Sequence, residues 1–364
     1  MRTKGREEAR VTRTGRGGIA APSPSILSSQ ETPRIGRRTA LTLLSLAPLT
    51  AIAACGGKAR VDSAAASPTG LIALGAWVAG GPWDSTHLDG FVQLVGVTPG
   101  VYTWYQDWVH GDFDPIPAEN ILARGATPVL TWMPEDYTLE GKPQPDYTLD
   151  AITSGAHDAF IRNFANNVAG WGKPLLLRFA HEMNDTYYPW AVGANGNKNK
   201  QYVPMWRHVR DIFNDVGVEN VRWVWCPNVT FNGARAFDSL YPGDDYVDII
   251  ALDAYNFGTA QPWSKWASFS TIFRKSYDAI IDITDKPLMI GEMGCVEQGG
   301  DKAAWITQAL LKDLPGRFSR VRAAVWFHEN RAPAEGDWRV DTSTDSLAAF
   351  RDAVQSSHYG GRFP

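Results

Sequence analysis

The chain is poor in cysteine, with three in 364 residues. If Cys55 belongs to an export signal, only Cys226 and Cys295 remain, too few for a disulfide framework. Other signatures are missing as well. There is no HExxH and no histidine pair at ligand spacing, so neither a metal centre nor a cofactor is expected. No G-x-S-x-G occurs, which disfavours a serine nucleophile. No glycine-rich phosphate loop follows the first strand-like run, and no GKS or GKT appears. An excess of positive charge is lacking too, since the formal net charge is −4. Residues 1–55 hold nine basic and three acidic residues, so the remainder carries 26 basic against 36 acidic, a net −10. An acidic domain of this kind argues against nucleic acid or anionic lipid as a partner.

The first 70 residues differ from the rest. Residues 1–38 are rich in Arg, Gly, Ser and Thr and show no hydrophobic period. Arg37-Arg38 then precede an apolar run from Thr39 to Ala54, closed by Ile52-Ala-Ala-Cys55 and Gly56-Gly57. A basic region, a short apolar run and small residues before a cleavage point describe an export signal. The paired arginines resemble a twin-arginine signal, and Ile-Ala-Ala-Cys resembles a lipobox whose cysteine becomes lipidated. The run is too short and too clipped for a transmembrane span. The expected plan is a signal over 1–55, a flexible tether over 56–70 and one folded domain over 71–358. The domain is expected as a monomer, exported and held at the outer face of the membrane through Cys55, with simple secretion as the alternative.

From Leu71 onward, apolar strand-like runs alternate with segments of helical period. The strands are expected over Leu71–Val78, Gly100–Gln106, Ala126–Trp132, Pro174–Ala180, Val221–Cys226, Val247–Asp253, Lys286–Glu292 and Val321–Phe327. The clearest helices are expected over Ala151–Trp171, Lys200–Val216, Phe269–Ile283, Asp301–Leu314 and Thr344–Val354, the last with Thr344, Asp345 or Ser346 as N-cap. Eight strands alternating with about eight helices suit an α/β fold, a single (β/α)8 TIM barrel, with a doubly wound open sheet as the rival.

In such a barrel the chemistry sits at the C-terminal strand ends. Those ends collect Trp104, Tyr105 and Asp107; Trp132 and Glu135; Arg178, His181, Glu182, Asn184 and Trp190; Trp223 and Trp225; Asp253 and Tyr255; Glu292; and Trp326, His328 and Glu329. Core filling does not predict aromatics gathered at one end of the strands. A cleft for sugar rings does, because rings stack on aromatic faces. Glu182 and Glu292, ending the fourth and seventh strands, could face each other across the mouth. Cleaving a glycosidic bond needs such a pair, one carboxyl to protonate the leaving oxygen and one to attack C1 or activate water. Arg178 could keep Glu292 ionised, Tyr255 could hydrogen-bond it, and His181 could tune the acid or hold a hydroxyl.

Arg178-Phe-Ala-His-Glu-Met-Asn184 with Trp190 resembles the acid/base signature of glycoside hydrolase family 26. Ile290-Gly-Glu-Met-Gly294 resembles that family's nucleophile strand, and Ile250-Ala-Leu-Asp-Ala-Tyr-Asn256 its sixth strand. The resemblance covers about residues 70–356. It implies a retaining, endo-acting β-glycanase with Glu182 as acid/base and Glu292 as nucleophile. It also implies that Tyr255 supports the nucleophile, that Trp326 floors the cleavage subsite and that Trp132 lines an adjoining one. Phe179 stands where the family's mannanases usually have Pro, and Asp185-Thr-Tyr-Tyr-Pro-Trp190 replaces their Gly and Trp-rich run. The Phe-Ala form looks more like members acting on mixed-linkage β-glucan. The expected partner is a β-1,4-linked polysaccharide, mannan or mixed-linkage glucan. The alternative is a lipid-anchored barrel that binds a glycan without cutting it. Cys226 and Cys295 are expected to stay unpaired, because one strand separates theirs and neighbouring strands lie about 4.8 Å apart.

Overall fold

The structure, a computed structural model, describes residues 71–231, 234, 236–361 and 363. The expected signal, tether and lipidated Cys55 lie outside the described residues. Eight parallel strands pair in sequence order and close on themselves, β1 with β8. They are β1 (Ala73–Val78), β2 (Val101–Asp107), β3 (Thr127–Met133), β4 (Leu175–Phe179), β5 (Val221–Trp225), β6 (Ile249–Asn256), β7 (Leu288–Cys295) and β8 (Val321–His328). The expected (β/α)8 barrel is what forms. An open sheet is excluded by the β1–β8 pairing over six residues.

The helices are α1 (Ser85–Val95), α2 (Pro115–Ala123), α3 (Leu149–Thr153), α4 (Asp158–Trp171), α5 (Tyr202–Val216), α6 (Phe269–Ile281), α7 (Lys302–Gln308), α8 (Leu314–Arg317) and α9 (Thr344–Val354). Their boundaries follow local chemistry. The Asp84 carboxylate accepts from the Thr86 amide at the start of α1, and Asp114 caps α2 ahead of Pro115. α5 buries Tyr202, Met205, Trp206, Val209, Ile212 and Phe213, one stripe at three- and four-residue spacing, against the strands.

Three expectations about helices need correction. The segment Ala151–Trp171 is two helices, α3 and α4, because the chain breaks at Gly155, which adopts φ 91°. Among the described residues β5 and β6 are joined by a 3-10 turn (Phe237–Ser239) and no α-helix. The N-cap of α9 is Ser343, whose hydroxyl accepts from the Ser346 amide, rather than a residue one to three places later.

Strand residues alternate between the barrel interior and the layer shared with the helices. Ala73, Val101, Val129, Leu176, Val224, Ile249, Ala251, Met289, Ala323 and Val325 fill the interior. Gly75 belongs to this set by period. A Cβ there would sit 2.9 Å from Val325 Cγ2 and 3.0 Å from Val101, so only glycine fits. The packed chain continues past the expected end at 358. Phe363 joins the interior cluster, and its carbonyl accepts from Thr127 Oγ1 at 2.7 Å, plugging the end opposite the mouth.

Candidate active site

Arg178, one residue before the end of β4, leads into the site. Leu176 faces the interior, so Arg178, two residues on, does as well. Its guanidinium meets four partners, one of them the Cys226 thiol, 3.6 Å from Nη1. Nε donates to Thr131 Oγ1 at 2.8 Å, Nη1 to Asp253 Oδ2 at 2.6 Å and Nη2 to Glu292 Oε1 at 2.5 Å. Burial works against its charge, but the Asp253 and Glu292 carboxylates outweigh that and hold its pKa above the usual arginine value.

Glu292 does not end its strand, as expected; β7 runs on to Cys295. Met289 faces the interior, so strict alternation would turn Glu292 outward. A register shift prevents this. Ile290 pairs with Leu252 while Glu292 pairs with Asp253, leaving Gly291 as the extra residue of a bulge. The bulge re-aims Glu292 into the mouth. Three donors then converge on it. Tyr105 Oη donates to Oε1 at 2.6 Å, Tyr255 Oη donates to Oε2, and Arg178 supplies the third. Burial, then the nearby Glu292 charge, raises the pKa of both tyrosines, so they stay protonated donors.

Glu182 sits past the end of β4 in a left-handed conformation with φ 51°, rare for a glutamate. Its amide donates to the Cys226 carbonyl at 2.7 Å, and its carbonyl accepts from the Asp185 amide at 3.0 Å, which holds the turn. Its Oε2 is buried without a hydrogen-bond partner. Burial, then the charges of Asp253 and Glu292, pushes its carboxyl well above the usual range. One carboxylate oxygen from each of Glu182, Asp253 and Glu292 lies within 4.8 Å of the others. The cation among these three carboxyls is Arg178 itself.

His181 is fully buried. Its Nε2 lies 3.0 Å from Tyr188 Oη, and burial, then Arg178, lowers its pKa well below the usual value, so the ring is neutral. Asn184 exchanges two hydrogen bonds with the backbone of Asn228, at 2.8 and 2.9 Å, tying the β4 loop to β5. Trp190 stacks on Tyr188 at 4.4 Å and donates to the His181 carbonyl at 2.7 Å. It is fully buried and braces the loop from behind.

Three expected cleft aromatics are elsewhere. Trp132 stacks on Phe164 of α4 at 4.4 Å, and Trp326 packs on Trp305 of α7 and Phe350 of α9. Trp104, three residues after interior-facing Val101, points outward in the same way. All three are fully buried between strands and helices, because the two-residue period puts them on the outer face of the barrel. Phe179 shares that fate, against Trp132, Trp206 and Trp223. The mouth is lined instead by their in-phase neighbours. Trp77 meets Tyr105 edge-on at 5.0 Å and donates to Glu329 Oε2 at 2.7 Å. Trp338, from the loop after β8, lies 4.7 Å from Tyr255. Counting by two from Gly75, Val101 and Val325 finds Trp77, Tyr105 and Phe327. No such count reaches Trp338, which is on a loop.

A family model for glycosyl hydrolase family 26 matches residues 127–308, half of the chain, from β3 through β7. The chain belongs to that family. Endoglucanase H of Acetivibrio thermocellus is 38% identical over 289 residues, which is 77% of this chain and 30% of that protein. A mannan endo-1,4-beta-mannosidase of Bacillus subtilis is 28% identical over 202 residues, 54% of this chain and 48% of that one. The family 26 chain thus spans between about a third and a half of these relatives. The catalytic domain of the Bacillus sp. JAMB-750 GH26 endo-beta-1,4-mannanase has the same fold, with a TM-score of 0.60 at 20% identity over 80% of this chain and 87% of that one.

Proposed function

We propose that this family 26 chain is a retaining, endo-acting β-glycanase that hydrolyses a β-1,4-linked polysaccharide by double displacement. The observation that carries the reading is the pairing of Glu182 and Glu292, with oxygens within 4.8 Å of each other and unlike surroundings. Retaining enzymes hold their two carboxyls about 5–5.5 Å apart, and inverting ones ~6.5–9.5 Å. Glu292 receives donors on both oxygens, which orients one lone pair toward a sugar C1 above it. Glu182 keeps its proton because burial and two neighbouring carboxylates disfavour its charge.

In the first step Glu182 protonates the leaving oxygen as Glu292 attacks C1 and forms a glycosyl ester. That ester removes one of the negative charges beside Glu182, so the same carboxyl now accepts a proton from water. The water attacks C1 and releases Glu292. Rings continue from the site to the rim, Tyr255 to Phe257 at 6.0 Å and Phe257 to Trp263 at 4.8 Å, with Trp263 more than a third exposed. An aromatic line of this length suits a polymer lying across the mouth.

Mixed-linkage β-glucan is favoured over β-mannan, since the endoglucanase relative is more similar and over a longer stretch than the mannosidases. Phe179 marks this branch without touching the cleft. No helix among the described residues is long and apolar enough to cross a membrane. Export and anchoring through Cys55 therefore rest on residues 37–57. Loss of membrane attachment in Cys55→Ala supports the anchor; unchanged attachment retires it.

The test is reducing-sugar release from defined β-glucans and β-mannans, with NMR of the first-formed anomer. Glu292→Ala should abolish turnover, and Glu182→Ala should keep the first step with activated aryl glycosides, with azide restoring the second. An inverted anomer, or full activity of Glu292→Ala, overturns the mechanism. Binding without cleavage would favour the glycan-binding alternative.

A further inference from the structure

Neither step of double displacement calls on Asp253, yet the fold builds a place for it. Its carboxyl lies in the barrel interior, where Gly291 leaves room: a Cβ at Gly291 would sit 2.5 Å from Asp253 Oδ1 and 3.1 Å from Cys226 Sγ. The bulge that re-aims Glu292 is thus the same residue that admits Asp253. Oδ2 accepts from Arg178 at 2.6 Å, while Oδ1 is buried without a hydrogen-bond partner.

The groups facing Asp253 are few. β4 brings Arg178, and the loop after it Glu182. The Cys226 thiol follows β5, and β7 brings Glu292. Tyr105 of β2 and Tyr255 of β6 itself are spent on Glu292. Arg178 is the cation here, and its contacts go to Thr131, Asp253, Glu292 and the Cys226 thiol, whereas Glu182 Oε2 is buried without a hydrogen-bond partner.

We infer that Asp253 is a positioning residue for the acid/base: by taking one arm of Arg178 and placing a second buried carboxyl within 4.8 Å of Glu182, it keeps the proton on Glu182 until the glycosidic oxygen takes it. The physical reason is that like charges this close in a dry site do not ionise together, so the two carboxyls titrate as a pair. Burial raises the pKa of Asp253 also, Arg178 opposes the rise and Glu292 adds to it. The inference rests on the reading of Glu182 as acid/base.

Asp253→Asn keeps the shape and a carbonyl oxygen for Arg178 and removes the charge. The basic limb of kcat/KM against soluble β-glucan should move to lower pH by about one unit or more, with the low-pH plateau retained within about tenfold. An unmoved limb, or an equal loss of activity at every pH, would mean a structural role and overturn the inference. Should Asp253→Asn fail to fold, Glu182→Gln gives the reciprocal measurement. Coupling is mutual, so the Asp253 carboxyl, followed by 13C NMR in Asp-labelled protein, should titrate at lower pH by the same amount. An unchanged Asp253 titration overturns it equally. The NMR readout needs no turnover, so an inactive wild type would retire the proposed function while still measuring the coupling.

Discussion

Trp326 donates its indole N–H to the carbonyl of Trp338 at 2.7 Å. The strand residue expected to floor the cleavage subsite therefore holds the loop residue that sits beside Tyr255. The two tryptophans should separate by readout. Trp326→Phe loses one hydrogen bond, worth about 1 kcal/mol, and should lower Tm while leaving kcat/KM within about threefold. Trp338→Ala removes a ring from the mouth and should lower kcat/KM by about tenfold or more. Thermal melts and initial rates on the same substrate check both, and the reverse ordering would return Trp326 to the cleft.

Tyr105 is the second phenol on Glu292, and the resemblance supplied only Tyr255. A hydrogen bond to a charged group contributes about 1.5–3 kcal/mol. Tyr105→Phe should lower kcat by about 10- to 100-fold with little change in KM, and Tyr255→Phe should do the same. Pre-steady-state kinetics of the first step on a substrate with a good leaving group, which needs no proton from Glu182, would isolate the effect on Glu292. A Tyr105→Phe enzyme with a wild-type first-step rate there would place the tyrosine outside the chemistry.

Glu135 follows β3, buried, with Oε1 lacking a partner. Burial first, then the charges of Asp107, Glu140 and Asp136, raises its pKa to about 8 from an ordinary 4.5. For a raised acid, the stabilising contribution is complete below pH 4.5 and is lost as pH rises through about 8. Glu135→Gln mimics the protonated form at every pH. Its Tm should match wild type near pH 5 and exceed it at pH 9 by a few degrees, at about 2–4 °C per kcal/mol for a domain of this size. Parallel Tm-against-pH curves for the two proteins would show that Glu135 finds a partner for its charge.

Cys226 and Cys295 are both buried and free. Cys226 lies in the barrel interior, and Cys295 accepts from Asn256 Nδ2 at 3.3 Å in a different cluster. In protein truncated to remove Cys55, thiol reagent should react with neither in the native domain and with two per chain after unfolding without reductant. Zero after unfolding would require sulfurs that the two clusters keep apart to have met.

Much of the fold was legible because its signals are local. Each strand lies within three residues of its expected bounds at both ends, since a strand buried on both faces reads as an apolar run whatever surrounds it. Arg178, Glu182 and Glu292 stood out because a charge at the end of such a run is costly without a partner. The aromatics misled for a related reason. Trp104, Trp132 and Trp326 end strands too, but a one-residue difference in phase sends them to the helix layer, and an apolar run on both faces gives no clue to phase.

Sequence by itself determined the eight-strand alternation and the chemical identity of the two glutamates with their arginine. Those follow from periodicity and from what each side chain can do alone. Only the closed barrel decided that Glu292 faces inward, because the bulge at Gly291 is defined by pairing with β6. Only it brought Tyr105 and Asp253 to Glu292, and Trp338 to Tyr255, from strands and a loop far apart in the chain. Convergence of this kind depends on strand register and barrel closure, which are relations between distant segments and have no local trace in the chain.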